Sequence, residues 1–315
     1  ILVTGGAGFI GSNIVEKLLK DNAKFVRIFD NLSTGYMKNI DPLLEKYDNV
    51  EFMWGDLFDL EQCNKACSGI DVICHQGALG SVPRSISDPL SSHRSNVDGA
   101  FNIFYSAKKN GIKRIVYASS SSVYGDEQTL PKIESKIGKQ LSPYAITKHI
   151  IELYGHIFTF VYGMECIGLR YFNVFGPRQD PHGAYAAVIP KFIELISQEK
   201  QPIINGDGSY SRDFTYIDNV VDANIKALTI KSEDRSIFGD VYNIGIAGNV
   251  TILELYDAIC KYMDSSVRPK FGSIRDGDIP HSNASIDKAC HTFGYVPIVS
   301  FDDGIKRTVD YFMRK

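Results

Sequence analysis

The chain has 315 residues, 44% of them hydrophobic and 23% charged, with a formal net charge of −3 and a pI near 6.2. That length buries an extensive core as two domains or one large α/β unit, and the weakly acidic balance argues against nucleic acid or an anionic membrane as the main partner, since both need concentrated basic surface. A small-molecule ligand fits that balance better, no apolar run is long enough to span a bilayer, the first residues lack the order of a signal peptide, and six scattered cysteines in a chain of this size make a reducing cytoplasm the expected setting.

The sequence starts inside an apparent strand, "ILVT", which leaves room for residues upstream of Ile1. A helical pattern, "SNIVEKLLKDN", follows. Then come the strand-length runs "FVRIFD", "VEFMWGD" and "DVICHQG", the helical "AFNIFYSAKKNG", the strand "RIVYASS", the helical "ITKHIIELYGHIF" and the strand "CIGLRYF". The runs are nearly continuously apolar, as strands covered on both faces should be. Such alternation predicts a doubly wound parallel sheet. After Asn173 the rhythm loosens into Pro and Gly clusters, "FGPRQDPHGAY", "INGDGSYS" and "RDGDIPHS". We read residues 1–175, rejoined by 214–239, as one domain, and 176–213 with 240–315 as a smaller α+β domain for substrate. The six cysteines are scattered in apolar contexts and read as buried free thiols. Cys63 and Cys67 are one helical turn apart, but no further pair has ligand spacing with them, so no metal site is predicted.

The first chemical signal is "TGGAGFIGS", where Gly5, Gly8 and Gly11 follow a strand and open a helix that includes Phe9 and Ile10. The turn needs a residue without Cβ, a pyrophosphate needs close approach to backbone, and the helix must pack tightly on its strand. The helix N-terminus then offers free N–H groups to phosphate. The second strand ends at Asp30, where a carboxylate would accept hydrogen bonds from an adenosine ribose and repel a 2′-phosphate, which favours NAD over NADP. Asp56, Gly77 and Ala78 also fall at strand ends on the ligand-binding edge, although Asp56 reads equally well as a helix N-cap. His75, at a strand end among apolar neighbours, reads as structural.

The strand "RIVYASS" runs into four serines, Ser119 to Ser122, and "LSPYAITK" opens the next long helix with Tyr144 and Lys148 four positions apart. Alone, such a pair is more often two neighbours on an exposed helix face. At the edge of a nucleotide-binding sheet it gains a chemistry. A nearby cation favours a phenolate and lowers the tyrosine pKa toward neutrality, making it a usable general base.

Together these motifs resemble the extended short-chain dehydrogenase/reductase superfamily, whose sheet is of the Rossmann type, and within it the UDP-hexose 4-epimerases. The closest likeness is to the UDP-N-acetylglucosamine 4-epimerase group. The resemblance implies that Ser120, Tyr144 and Lys148 form the catalytic set. It implies that Asp30, Asn31, Ser33, Thr34 and Gly35 hold the adenosine ribose side of NAD and that Asp56 and Leu57 hold the adenine. Gln76, Gly77, Ala78 and Leu79 with Asn96 would line the cofactor channel, and Tyr171 would lie near the nicotinamide. For the UDP-sugar it implies Asn173, Ala187, Val188, Lys191, Ile203, Asn205, Arg212, Arg275 and Asp278, with Gly80, Ser81, Ser121 and Gln179 as further contacts. A homodimer is implied as well.

In plain glucose and galactose epimerases the resemblance places a bulky tyrosine where this chain has Ser282, beside the sugar's C2. Serine there leaves room for an N-acetyl group. The expectation is therefore an NAD-dependent 4-epimerase acting on UDP-GlcNAc and UDP-GalNAc or their uronic acids. The alternatives are a UDP-glucose/UDP-galactose 4-epimerase, a UDP-glucuronate decarboxylase or sugar-nucleotide dehydratase, and a non-catalytic NAD-sensing module. The decarboxylases and dehydratases are implied to need an acidic residue beside the catalytic serine, where this chain has Ser121 and Ser122.

Overall fold

The computed structural model describes residues 1–182, 187–274 and 279–314. Among them the strands are β1 Leu2–Thr4, β2 Val26–Asp30, β3 Val50–Trp54, β4 Val72–His75, β5 Arg114–Ser120, β6 Glu165–Tyr171, β7 Val174–Phe175, β8 Ile203–Asn205, β9 Ser211–Arg212, β10 Thr215–Tyr216, β11 Asp240–Ile244, β12 Val250–Thr251, β13 Lys270–Gly272 and β14 His281–Ser282. The helices are α1 Phe9–Lys20, α2 Asp41–Lys46, α3 Leu60–Cys67, α4 Val82–Ser87, α5 Pro89–His93, α6 Gly99–Lys109, α7 Pro143–Tyr162, α8 Val188–Ser197, α9 Ile217–Thr229, α10 Ile252–Met263, α11 Asp287–Phe293 and α12 Phe301–Met313.

Seven strands form one sheet in the order β11-β6-β5-β4-β1-β2-β3, and every pairing is parallel. The chain moves outward from β1 through β2 and β3, then crosses back to β4. This reversal opens a crevice at the carboxyl ends of β1 and β4, where ligands bind in open α/β sheets. Both faces are covered. Leu2, Ile73, Ile115 and Tyr117 pack with α3, α6 and α7 on one side, while their strand neighbours Val3, Cys74 and Val116 pack with α1 and α9 on the other. Alternate residues thus enter opposite layers, which is why the strand sequences carry so few polar positions.

A glycine inside a long helix costs about 1 kcal/mol against alanine. Gly155, in the middle of α7, has a reason to be there. A Cβ on it would stand 2.4 Å from the Tyr117 phenol oxygen, and one on Gly168 of β6 would stand 2.6 Å from the same atom.

The region after Asn173 builds three small sheets, β10-β7, β12-β9-β14 and β13-β8. Residues of α8, α10 and α12 join the same apolar cluster as Val3 and Ile28, so one core runs through both parts. The boundary expected at residue 240 lies too early. Asp240–Ile244 pairs along its full length with Ile167–Tyr171 as the sheet's edge strand, because Tyr242, Asn243 and Ile244 are all buried there. Among the described residues no helix is long and apolar enough to cross a membrane.

Candidate active site

The crevice is a cavity of about 490 Å³. Gly5, Gly8, Phe9, Ile10 and Gly11 form its wall at the start of α1, and Asp30, Asn31, Ser33 and Thr34 line it after β2. Asp56 and Leu57 follow β3, and Gln76, Gly77, Ala78, Leu79 and Gly80 follow β4. Tyr144, Lys148 and Tyr171 close the far end. The close approach of backbone is measurable at one position, since a Cβ on Gly11 would stand 2.1 Å from the Gly5 carbonyl oxygen. Only hydrogen fits.

Asp30 is 9% exposed, and each carboxylate oxygen is pinned by backbone: Oδ2 accepts from Ala7 N at 3.0 Å and Oδ1 from Leu32 N at 2.8 Å. Burial pushes its carboxyl above the ordinary range, against the pull of those two bonds. Asn31 Nδ2 donates to Asp56 Oδ2 at 2.9 Å, which joins the ends of β2 and β3. Asp56 is not the N-cap of α3. That cap is Asp59, which accepts from the N–H groups of Glu61 and Gln62.

Two expected lining residues stand behind the wall instead. Asn96 is fully buried in a π-helical turn, Arg94–Asp98, and spends its amide on Leu79, accepting from Leu79 N at 2.7 Å and donating to Leu79 O at 3.1 Å. Gly35 packs on Ala7, where a Cβ would meet backbone at 2.9 Å. Ser91, Ser95, Ala118 and Ser119 line the cavity without having been expected, as do Phe29, Gly55 and Phe58. Ser95 belongs to the π-helical turn, whose widened period leaves no simple mark in sequence.

Ser142 caps α7 by accepting from Ala145 N, and the buried Ser85 Oγ accepts from Tyr144 N at 3.0 Å. Ser120 caps the short turn Ser121–Tyr124, receives the Ser122 hydroxyl at 3.0 Å, and is the side chain that acts on the Tyr144 phenol. Lys148 Nζ donates to the Ala118 carbonyl at 2.9 Å and lies 5.9 Å from the Tyr144 ring centroid. Ser120, Tyr144 and Lys148 are therefore brought together. The direction of the tyrosine shift is a correction. Burial pushes the Tyr144 phenol up, the Ser120 side chain opposes it, and Lys148 does not set it. Burial lowers Lys148 to about 8, with Glu152 acting against it. His75 is held neutral, its pKa pushed down to about 3 by burial and then by Lys148, with Nδ1 2.7 Å from the Thr4 hydroxyl. A further layer was not anticipated. Tyr171 shares hydrogen bonds with Gln76 and with the buried Asn224 of α9.

The remaining candidates fall in separate groups. Arg212 and Ser282 are register partners across β9 and β14, and Asn173 Nδ2 donates to the adjacent Asp213 carbonyl at 3.2 Å. Ile203 and Asn205 lie on β8, while Ala187 caps α8, which carries Val188 and Lys191. Ser81 Oγ caps α4. Ser121 is the first residue of the short turn after β5. Gln179 lies along a second cavity of about 300 Å³. Arg275 and Asp278 lie outside the described residues. Among the described residues no group of three or more His, Cys, Asp or Glu side chains could hold a metal ion.

Residues 1–245 match the model of the NAD dependent epimerase/dehydratase family. The chain belongs to that family. A UDP-N-acetylglucosamine 4-epimerase from Methanobrevibacter ruminantium, solved with UDP-N-acetylmuramic acid, is 38% identical with a TM-score of 0.92, covering 99% of this chain and 97% of its own. A UDP-glucuronic acid 4-epimerase from Bacillus cereus, solved with UDP-glucuronic acid and NAD, is 32% identical with a TM-score of 0.91, covering 99% and 98%. The UDP-glucose 4-epimerase of Mycolicibacterium smegmatis is 34% identical over 316 residues, covering 100% and 98%. NAD is this chain's cofactor, and the residues fit it. The glycine turn leaves no room for a Cβ, the start of α1 faces the cavity, and a carboxylate stands at the end of β2.

Proposed function

We propose that this protein is a UDP-sugar 4-epimerase that interconverts UDP-GlcNAc and UDP-GalNAc, or their uronic acid forms. The observation that carries the reaction type is the pair Tyr144 and Lys148 at one end of the dinucleotide cavity, with Ser120 acting on the Tyr144 phenol. Bound NAD supplies a hydride acceptor at the sugar's C4 and, once reduced, the donor that closes the cycle. Tyr144 takes the proton of the sugar 4-hydroxyl and later returns it. Ser120, whose side chain acts on the phenol, holds that hydroxyl in line. Lys148 supplies positive charge beside the developing phenolate and holds the nicotinamide ribose. The resulting 4-keto sugar stays tethered through UDP while it presents its opposite face, so C4 is inverted with no net oxidation. Ser121 and Ser122 stand where an acidic residue would redirect the ketone toward elimination or decarboxylation.

Arg212, with Arg275 and Asp278, is proposed to hold the UDP group, since arginines neutralise a pyrophosphate through charge-assisted hydrogen bonds. Residues 176–213 and 245–315 would carry the nucleotide sugar. The N-acetyl preference is supported by Ser282, a small side chain paired in register with Arg212. We also propose a homodimer. Leu153, Ile157, Phe160 and Val161 of α7, with Phe160 80% exposed, form an apolar face of the kind a second copy covers. Light scattering on the purified protein decides this.

The deciding experiment incubates the protein with a panel of UDP-sugars and follows the anomeric and H4 signals by NMR. Interconversion of the acetylated pair or the uronates ahead of UDP-glucose and UDP-galactose supports the full proposal. Turnover of the glucose pair alone removes the N-acetyl part, and no turnover of any UDP-sugar removes the reaction.

A further inference from the structure

Lys148 is 3% exposed, yet it is asked to carry a charge. Its ammonium has one backbone acceptor, Ala118 O. The titratable groups that face it do little to hold that charge. His75 of β4 is kept neutral, and the phenols of Tyr144 and Tyr171 are both pushed up by burial and stay protonated at neutral pH. Among the described residues the anion that acts on Lys148 is Glu152, one helical turn further along α7.

Glu152 is itself 7% exposed and fully engaged. Arg170 of β6 grips it through Nε to Oε1 at 2.8 Å and Nη2 to Oε2 at 2.7 Å, and the Ser119 hydroxyl donates to Oε1 at 2.5 Å. Arg170 is further fixed by the Glu134 carbonyl at 3.0 Å and lies over the Tyr124 ring at 4.9 Å. The neighbouring Tyr117 phenol, on the same side, stays neutral because burial and Glu152 both raise it. Ser119 sits in β5 between Ala118, whose carbonyl holds Lys148, and Ser120, whose side chain acts on the Tyr144 phenol. One carboxylate therefore meets both the catalytic helix and the end of β5.

We propose that Glu152 is a positioning residue that keeps Lys148 cationic and fixes the end of β5, so that the phenol and the ammonium act as a unit. The inference deepens the function proposed above by naming what stands behind its lysine. A purely structural ion pair would stabilise the fold and leave Lys148 alone. A carboxylate that Lys148 feels must raise its proton affinity.

The test reads Lys148 directly. Protein labelled with ε-13C lysine is titrated by NMR, with the Lys148 signal identified by its loss in Lys148→Met. Glu152→Gln is expected to lower the Lys148 midpoint by about one pH unit, a tenfold loss of proton affinity, as removal of a nearby opposite charge does. Glu152→Asp, which keeps the charge, is expected to restore most of it. If Glu152→Gln alone does not fold, the Glu152→Gln/Arg170→Gln double variant leaves no buried charge unpaired and is expected to show a smaller fall in the same direction, since the opposing Arg170 charge is removed with the carboxylate. A midpoint unmoved in whichever of these variants folds overturns the proposal. The titration needs no substrate, so a parent protein that epimerises no UDP-sugar overturns the function proposed above and not the role of Glu152.

Discussion

The Ser120 side chain pulls the pKa of the Tyr144 phenol down, against the burial that pushes it up. That pull favours the phenolate in a site whose burial otherwise disfavours it. Tyr144→Phe removes the proton acceptor and leaves the cavity's shape. Turnover is expected to fall by roughly a hundred to ten thousand fold. Equilibrium binding of UDP-sugar, measured by calorimetry, should change little, and near-full turnover would show that Tyr144 is not the base.

Gly11→Ala drives a methyl group against backbone, 2.1 Å from Gly5 O and 2.8 Å from Gly6 Cα. Overpacking of this kind costs about 1–3 kcal/mol, so NAD affinity should drop on the order of ten to a hundredfold. The closed redox cycle gives the parent no need to release its cofactor, and acid-denatured parent protein should liberate dinucleotide that absorbs in the adenine band. The same treatment of Gly11→Ala should yield little.

His75 ties acid stability to the floor of the site. Its folded pKa, about 3, lies below the ordinary value of 6.5, so the stability it contributes is complete above pH 6.5 and is lost as pH falls from there toward 3. One proton corresponds to roughly 1.4 kcal/mol per pH unit. Denaturant titrations between pH 6.5 and 4.5 should show His75→Asn with a slope shallower than the parent's by about that amount. Equal slopes would mean that the histidine is not the group being protonated.

Ser282→Tyr adds a ring beside Arg212, its register partner. Turnover of the acetylated pair is expected to fall by roughly 10–200-fold while the glucose pair is spared, the range a change in pocket shape supports. Equal effects on the two pairs would remove Ser282 from the question of selectivity.

Of the first six strands of the large sheet, β1, β2, β4, β5 and β6 were legible because they are mostly buried and cannot hide their apolar runs, and the exposed edge strand β3 was legible because its Val50, Phe52, Met53 and Trp54 keep it apolar all the same. β11 was not, since its five residues include Asp240 and Asn243 and resemble a loop until they meet β6. The glycine turn and the Tyr144 to Lys148 spacing could be read as chemistry because backbone approach and helical period are local matters. The partner of Lys148 could not. A lysine four residues from a tyrosine looks like a cation for a phenolate, and only the packing of α7 on β5 shows its ammonium spent on the Ala118 carbonyl. Asn96 failed for a similar reason, because a polar residue near a site is as well suited to holding the wall as to forming it.

Asp30 constrains how this protein can change over time. Its two oxygens fasten Ala7, inside the glycine turn, and Leu32, whose φ of 60° places it in the left-handed region. A lineage drifting toward a phosphorylated dinucleotide would have to give up this carboxylate, and with it the bonds that shape the phosphate-binding turn and the loop after β2. Nucleotide preference and loop architecture are in that sense inherited together. A switch of cofactor therefore demands several coordinated substitutions, beginning with a new partner for Ala7 N, before any arginine introduced for the extra phosphate brings an advantage.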